Sequence, residues 1–373
     1  MREFNTTGLC VPHKHYMADI SAKVSAVMDM IDKGKYFTIN RPRQFGKTTL
    51  LTMLWRQLSN SDDYHVISLS FERVGDTIFG HENRFCTEFL DWISRPLKRA
   101  APNLRQLIET LPPPESLADL SDAITDIVEA CGKRVVLLID EVDQSSNNEL
   151  FVRFIGMLRA KYLECDAQHI PTFHSVILAG LHDVRTLKLK LRPDADRQLN
   201  SPWNIAAEFN VDMKLNADEI RGMLDSFVAD TGTQIDMERV IDRLIYHSNG
   251  YPYFVSAMCK QIFDSIGTAA WTANEVDAAA KRICNPFYAI TNIASIANAL
   301  EDYPDLSRIV RALIFSGETP LGSIDDPNVA LGLLHGIFVP VNGHVTIGNR
   351  IYEQRLTSYY LLKGIHQLAT GDG

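Results

Sequence analysis

Asn40-Arg41-Pro42-Arg43-Gln44-Phe45-Gly46-Lys47-Thr48-Thr49 is the stretch on which the reading of this chain turns. It follows the β-rich run Tyr36-Phe37-Thr38-Ile39 and leads into the apolar-periodic run Leu50-Leu51-Thr52-Met53-Leu54-Trp55. The spacing predicts a strand, a loop and the start of a helix. Amide N–H groups of such a loop and first helical turn point inward, and the helix N-terminus adds positive potential, which is what a phosphate needs. Arg43, Gln44 and Phe45 supply loop amides, and Gly46 lets the backbone approach closely. Lys47 can bridge the β- and γ-phosphates, the Thr48 hydroxyl can hold Mg²⁺, and Thr49 lines the neighbouring phosphate. One feature departs from G-x-x-x-x-G-K-[ST], because its first glycine falls on Arg41. A non-glycine there disfavours positive φ, and Pro42 lacks an N–H donor.

Gly-Lys-Thr alone arises by chance too often to decide the matter, so a second motif is needed. Arg134-Val135-Val136-Leu137-Leu138-Ile139-Asp140 is the most apolar run in the chain and suits a strand buried on both faces. It ends on Asp140-Glu141. At that place an acid can hold Mg²⁺ through water, and a following Glu can polarise the water that attacks a γ-phosphate. Acids commonly follow strands. About 90 residues after a phosphate loop, however, the pair gains a shared purpose, since adjacent carboxylates repel unless a cation joins them. The two motifs together predict a nucleoside triphosphate site with Glu141, Lys47 and Asp140 as its catalytic set. Thr48 and Asp140 are the metal ligands of that reading. No Asn-Lys-x-Asp string supports guanine, which favours adenine, hence ATP with Mg²⁺.

Around this site the first half alternates strand-like and helix-like segments. Further strands are expected at 65–71, 174–180 and, as a fifth, 208–213. The fold class is therefore α/β, a P-loop parallel sheet sandwiched by helices. Residues 101–114 hold four prolines and are expected to be loop in part. After about residue 214 helices dominate: 217–229 with Asn216 as N-cap, 237–247, 253–266 and 273–284. Helices at 286–301, 304–315 and 327–335 precede two short strands flanking Asn342-Gly343, a strong hairpin signal, and a helix at 349–362 closes the chain. Three helices, a β-wing and a closing helix have the pattern of a winged-helix module. The expected domains are a P-loop core at 1–214, a helical lid at 215–285 and a winged helix at 286–373.

Composition narrows the functional classes. The chain has 373 residues, 46% hydrophobic and 22% charged, a globular balance that excludes wholesale disorder. With 37 Lys and Arg against 46 Asp and Glu, the net charge of −9 argues against coating nucleic acid through bulk charge. Apolar runs fall far short of the ~20 residues that span a bilayer. The N-terminus Met1-Arg2-Glu3-Phe4-Asn5 shows no signal-peptide core, and the six cysteines are scattered with no CxxC pair. A cytoplasmic protein without a membrane partner is expected. His13 and His15 form a close pair with no third ligand, which suits a solvated loop.

The chain resembles the bacterial AAA-ATPase-like family, close to archaeal-type and STAND P-loop ATPases of the additional-strand, catalytic-Glu class. The resemblance is carried by Phe4-Asn5-Thr6-Thr7-Gly8, Lys14-His15-Tyr16-Met17-Ala18-Asp19-Ile20 and the P-loop with Arg41 at its first position. It continues through Leu138-Ile139-Asp140-Glu141-Val142-Asp143, Ser201-Pro202-Trp203-Asn204-Ile205-Ala206 and Asn249-Gly250-Tyr251-Pro252-Tyr253. In that family an Arg at the first loop position is usual. The resemblance implies that Tyr16 and its segment border the adenine. It also implies that Gly250-Tyr251-Pro252 is a G-x-P lid element whose Pro252 packs on the base, although Pro252 equally fits an ordinary helix N1. It implies a γ-phosphate sensor near Gly180-Leu181-His182-Asp183, for which a plain loop is the alternative. It implies an arginine finger among Arg185, Arg192 and Arg197, beside Lys188 and Lys190, for which a solvated basic face is the alternative. His335 and His344 compare with the phosphate-sensing histidine of some STAND proteins or are ordinary loop histidines.

The functional expectation is an ATP-hydrolysing switch in which ATP binds between core and lid. Lid and winged helix would respond to nucleotide state and control self-assembly or a partner effector. Relatives often carry a nuclease domain after the winged helix. No D…ExK pair follows residue 300 here, so a nuclease effector would be a separate protein, with defence against foreign DNA as a family-level association. The alternative is an ATP-regulated DNA-binding protein using the winged helix. It is disfavoured because the helix at 304–315 carries only Arg308 and Arg311 and the wing carries no Lys or Arg. Arg350 and Arg355 add little. A small-molecule kinase is disfavoured by the large helical C-terminal half.

Overall fold

A computed structural model of the chain describes residues 1–101, 104–142, 149–180, 203–317, 323 and 325–370. They form two compact units, one comprising Ala22–Asn40 and Lys47–Val211, the other Met1–Ser21, Arg41–Gly46 and Asp212–Gly373.

The first unit is the α/β body. Four parallel strands, β1 (Phe37–Asn40), β2 (Tyr64–Ser70), β3 (Arg134–Asp140) and β4 (Ser175–Gly180), lie in the order β1-β4-β3-β2. β4 therefore separates the strand before the phosphate loop from the strand that ends in Asp140. The register pairs Asn40 with Gly180 and Ser70 with Asp140, so the carboxyl ends of paired strands finish level. After Arg134 every residue of β3 is buried, as is all of β4, which is why both read as unbroken apolar runs. Helices α1 (Ser21–Asp32), α2 (Lys47–Ser59), α3 (Asp76–Phe79), α4 (Glu82–Ala100), α5 (Leu104–Thr110), α6 (Leu117–Cys131) and α7 (Glu149–Gln168) complete the unit. Ser116 and Asp119 form a capping box at the start of α6. Phe71, Phe79, Phe85, Phe89, Phe151 and Phe154 make an aromatic core beside the sheet. The proline-rich stretch contains the short helix α5, because Leu104 and Ile108 are spaced to bury one face.

The expected fifth strand at 208–213 forms no ladder; a single bridge precedes it, Phe37 to Ala207, with the Ala207 N–H donating to the Tyr36 carbonyl at 2.8 Å. The stretch nonetheless alternates, with Phe209 and Met213 buried and Glu208, Asn210 and Asp212 exposed. Alternation reports one buried face and not a hydrogen-bonded ladder. Phe209 is held by ring stacking on Phe37, at 6.0 Å between centroids and 6° between planes.

The second unit is mainly helical: α8 (Ala217–Thr231), α9 (Met237–Ser248), α10 (Pro252–Ile266), α11 (Ala273–Ile283), α12 (Thr291–Asp302), α13 (Pro304–Phe315) and α14 (Pro327–Leu334). A two-stranded antiparallel hairpin follows, β5 (Phe338–Val341) and β6 (His344–Ile347), then α15 (Arg350–Thr370). Asn216 caps α8 in a reciprocal box with Glu219. Asn342 (φ 49°) and Gly343 (φ 80°) turn the hairpin, as the Asn-Gly pair predicts. The helix expected from 286 starts at Thr291, because the Phe287 N–H turns back onto Asn285 Oδ1 at 2.9 Å. Residues 1–21 belong to this unit. Phe4 and Tyr16 pack with Phe227, Phe4 also meets Trp271, and Arg2 pairs with Asp230 at 3.0 Å. The segments expected as lid and winged helix form one body, joined by Asn249 Nδ2 donating to the Gly348 carbonyl at 2.9 Å. Among the described residues no helix is long and apolar enough to cross a membrane.

The junction of α9 and α10 admits only glycine at 250. Gly250 has φ +72°, and a Cβ there would fall onto the Leu215 carbonyl oxygen, while the Leu215 N–H bonds the Gly250 carbonyl at 2.8 Å. Gly250→Ala is expected to destabilise the protein by about 2–4 kcal/mol through positive-φ strain plus backbone collision. The midpoint of chemical denaturation measures it, and an unchanged midpoint would contradict this account.

Candidate nucleotide-binding site

Within the α/β unit, Lys47 opens α2 and Asp140 closes β3. The Thr48 hydroxyl donates to Asp140 Oδ2 at 2.7 Å, across 92 residues of sequence. The other carboxylate oxygen, Oδ1, accepts the Glu141 N–H at 2.9 Å. Asp140 is 8% exposed and Lys47 7% exposed, so the carboxylate and the ammonium are both largely withdrawn from water. Charged groups are buried at such a cost only with partners or ligands. Glu141 has φ 56°, a left-handed backbone that a non-glycine residue adopts only when its surroundings hold it there. That left-handed residue follows Asp140 directly, so the chain leaves the strand conformation at the end of β3.

These oxygens suit one class of cation. A hydroxyl and a single carboxylate, with no sulfur or imidazole in the set, match a hard ion that keeps several waters and is completed by substrate phosphates. Mg²⁺ fits that description, and the helix start at Lys47-Thr48 offers the amides a phosphate requires.

The loop Arg41–Gly46 joins β1 to α2. Its left-handed residues are Gln44 (φ 58°) and Gly46 (φ 86°), and Arg41 is not among them. The missing first glycine therefore costs the loop no backbone strain. Arg41 is half-buried; burial lowers its pKa and the Asp212 carboxylate opposes the shift. A Cβ at Gly46 would meet only the end of Met213 at 3.9 Å, so its dihedral and not crowding accounts for the glycine. Pro42 is buried, and a Cβ at Gly336 would lie 2.6 Å from its ring. The Arg43 carbonyl accepts a hydrogen bond from the Tyr251 hydroxyl, and the Phe45 ring meets Tyr251 edge-on at 4.6 Å. Burial pushes the Tyr251 phenol up to about 12, so it remains a proton donor at neutral pH.

Thr48 and the Glu141 N–H thus meet at Asp140, with Lys47 beside Thr48 at the start of α2 and Thr49 half-buried on its first turn. Tyr16 has a different setting. It is 2% exposed, with its ring against Phe4 at 5.0 Å and Phe227 at 5.2 Å, which accounts for it as core. Pro252 is half-buried at the first position of α10. His335 ends α14 and His344 opens β6, both half-buried. Asp143, Leu181, His182, Asp183, Arg185, Lys188, Lys190, Arg192, Arg197, Ser201 and Pro202 lie outside the described residues. Trp203, from the same family stretch, is fully buried and stacks on Tyr36 at 5.7 Å. Sequence reasoning passed over Tyr251, the middle residue of Gly250-Tyr251-Pro252, because its partner Arg43 is 208 residues away.

The profile of the family described as AAA-like domain matches residues 10–325, and the chain belongs to that family. In overall fold it is similar to a Walker-type ATPase of Pyrococcus abyssi, with TM-score 0.59 at 11% identity over 95% of this chain and 99% of that one. An ORC2 protein of Aeropyrum pernix aligns with TM-score 0.46 and 12% identity, over 91% of this chain and 93% of its own. RuvB of Thermotoga maritima aligns with TM-score 0.40 and 13% identity, over 93% and 95%. Among curated proteins none matches this sequence.

Removing the Thr48 hydroxyl leaves a buried carboxylate oxygen without its donor. Thr48→Ala is expected to lower stability by about 1–2 kcal/mol in the absence of any nucleotide. Urea titration with EDTA present measures this, and wild-type stability would show that the bond to Asp140 carries no weight.

Proposed function

We propose that this protein binds ATP with Mg²⁺ and hydrolyses it slowly. The observation that carries the reading is the hydrogen bond from Thr48 to Asp140, which brings the two sequence motifs to one point. Residues 43–49 hold the phosphates, Thr48 and Asp140 hold the cation, and the half-buried Pro252 is the candidate contact for the base. Tyr16, which the family resemblance also places near the base, has its ring against Phe4 and Phe227. The placement of β4 between β1 and β3 supports the additional-strand, catalytic-Glu class.

Mg²⁺, if held by Thr48 and Asp140, would supply electrostatic neutralisation of phosphate charge. The remaining work falls to the chain. Lys47 places a positive charge beside the terminal phosphates. Asp140 stays oriented because both of its oxygens are engaged. Glu141 orients the attacking water and takes its proton, and its left-handed backbone sets it apart from the carboxylate before it.

Beyond chemistry, the reading is that of a switch. α12, α13, α14, the β5–β6 hairpin and α15 have the element order of a winged helix. We assign this module to protein contacts, either self-assembly or a partner effector such as a nuclease. A DNA-binding role is disfavoured by the arginines it would use. Arg308 pairs with Asp305, Arg311 lies over the Tyr360 ring at 5.7 Å, and Arg350 meets Glu353 at 3.3 Å and Tyr246 Oη at 2.7 Å. Arg355 donates to the Asn285 carbonyl. Each already serves its own unit.

Lys47→Ala is expected to abolish ATP binding in calorimetric titration. Glu141→Gln should bind ATP as the wild type does and lose about 10²–10³-fold in hydrolysis. Glu141→Gln protein turning over ATP at the wild-type rate would remove Glu141 from its role.

A further inference from the structure

The phosphate loop is braced by a buried polar chain that has no part in the chemistry. The Tyr251 hydroxyl donates to the Arg43 carbonyl. Its oxygen accepts from Asn292 Nδ2 at 3.3 Å, and the same nitrogen donates to Tyr352 Oη at 2.8 Å. All three side chains are buried, Tyr251 at 4%, Asn292 at 3% and Tyr352 at 0% exposure. They stand among rings, with Phe254 at 5.1 Å from Tyr251 and 5.3 Å from Tyr352. Asn292 Oδ1 is buried without a hydrogen-bond partner, so the amide is oriented through its nitrogen. Polar groups kept in an apolar setting are costly when half-satisfied, so each bond in such a chain fixes the next.

The position of the chain's end matters for a phosphate. A trans peptide is planar, so its C=O and the following N–H point in opposite directions. Holding the Arg43 carbonyl toward Tyr251 therefore aims the Gln44 N–H to the other side of the loop. Gln44 sits at φ 58°, a conformation that needs such holding in a residue with a side chain. Tyr251 also presses its ring edge on Phe45, the next residue, at 4.6 Å. The chain continues through Asn292 on α12 to Tyr352 on α15, whose first turn is fixed by the Tyr352 N–H donating to Asn349 Oδ1 at 2.8 Å.

We propose that Tyr251 is a positioning residue for the phosphate loop, and that Asn292 and Tyr352 extend its hold to α12 and α15. Nucleotide affinity is thereby set in part by the C-terminal helices. The proposal rests on residues 43–49 being the nucleotide site. It makes the C-terminal module a determinant of loop geometry, so a partner that shifts α12 or α15 changes affinity without touching the nucleotide.

Two readouts on the full-length protein test it: ATP affinity by calorimetry with Mg²⁺, and hydrogen exchange of a peptide spanning 41–46 without nucleotide. Tyr251→Phe keeps the ring on Phe45 and removes only the hydroxyl. It is expected to raise Kd about fivefold and speed loop exchange, with β3 exchange unchanged. Asn292→Leu and Tyr352→Phe, neither touching the loop, should shift both readouts the same way by smaller factors. Each combined with Tyr251→Phe should do no more than Tyr251→Phe alone, since the groups act in series. Wild-type Kd and exchange in Tyr251→Phe would overturn the proposal, as would effects that add in the double variants. Wild-type protein that binds no ATP overturns the nucleotide reading and the affinity claim with it, while faster loop exchange in Tyr251→Phe would still establish the brace itself.

Discussion

The contact from the Thr48 hydroxyl to Asp140 Oδ2, 2.7 Å long, is the interaction on which the proposed nucleotide site depends. It joins the first turn of α2 to the end of β3 even though β4 lies between β1 and β3 in the sheet. The level carboxyl ends of parallel strands make this possible, because loops and helix starts then gather along one edge. Glu141 completes the constraint from the backbone side. Its N–H holds Asp140 Oδ1, which leaves Oδ2 to Thr48, and its own φ of 56° turns the chain sharply.

Much of this was legible from residue order. β3 and β4 are buried along nearly their whole length, so they appear as continuous β-branched and Leu runs that no surface segment would carry. Asn216, Asn342 and Gly343 act through local geometry, and local geometry is what a sequence states most directly. Residues 208–213 resemble a strand in sequence because one-sided burial leaves the same period-two trace whether or not a ladder forms. The neighbours of the N-terminal segment are not legible from residue order for a related reason. Phe4 and Tyr16 look like generic core residues, and only the fold supplies Phe227 and Trp271 as their neighbours.

The site divides along the same line. Lys47, Thr48, Asp140 and Glu141 stand out in the sequence because each belongs to a short motif whose spacing carries chemical meaning, and the fold brings Thr48 to Asp140. Arg41 looked like a defect by that logic, yet the loop takes its left-handed turns at Gln44 and Gly46 and asks nothing special of position 41. Tyr251, Asn292 and Tyr352 could not be found. A tyrosine before a helix proline, an asparagine inside a helix and a tyrosine in a closing helix have no shared motif, and their bonds span 41 and 60 residues. Proximity alone gives them a common role.

Under the proposed function a water molecule, not a dedicated substrate, receives the phosphoryl group at this site. Release of inorganic phosphate from ATP by the purified full-length protein, with no acceptor added, tests it most directly. The account predicts slow, steady phosphate release that EDTA stops. ATP left intact without an added acceptor, or release that continues unchanged in EDTA, would contradict it.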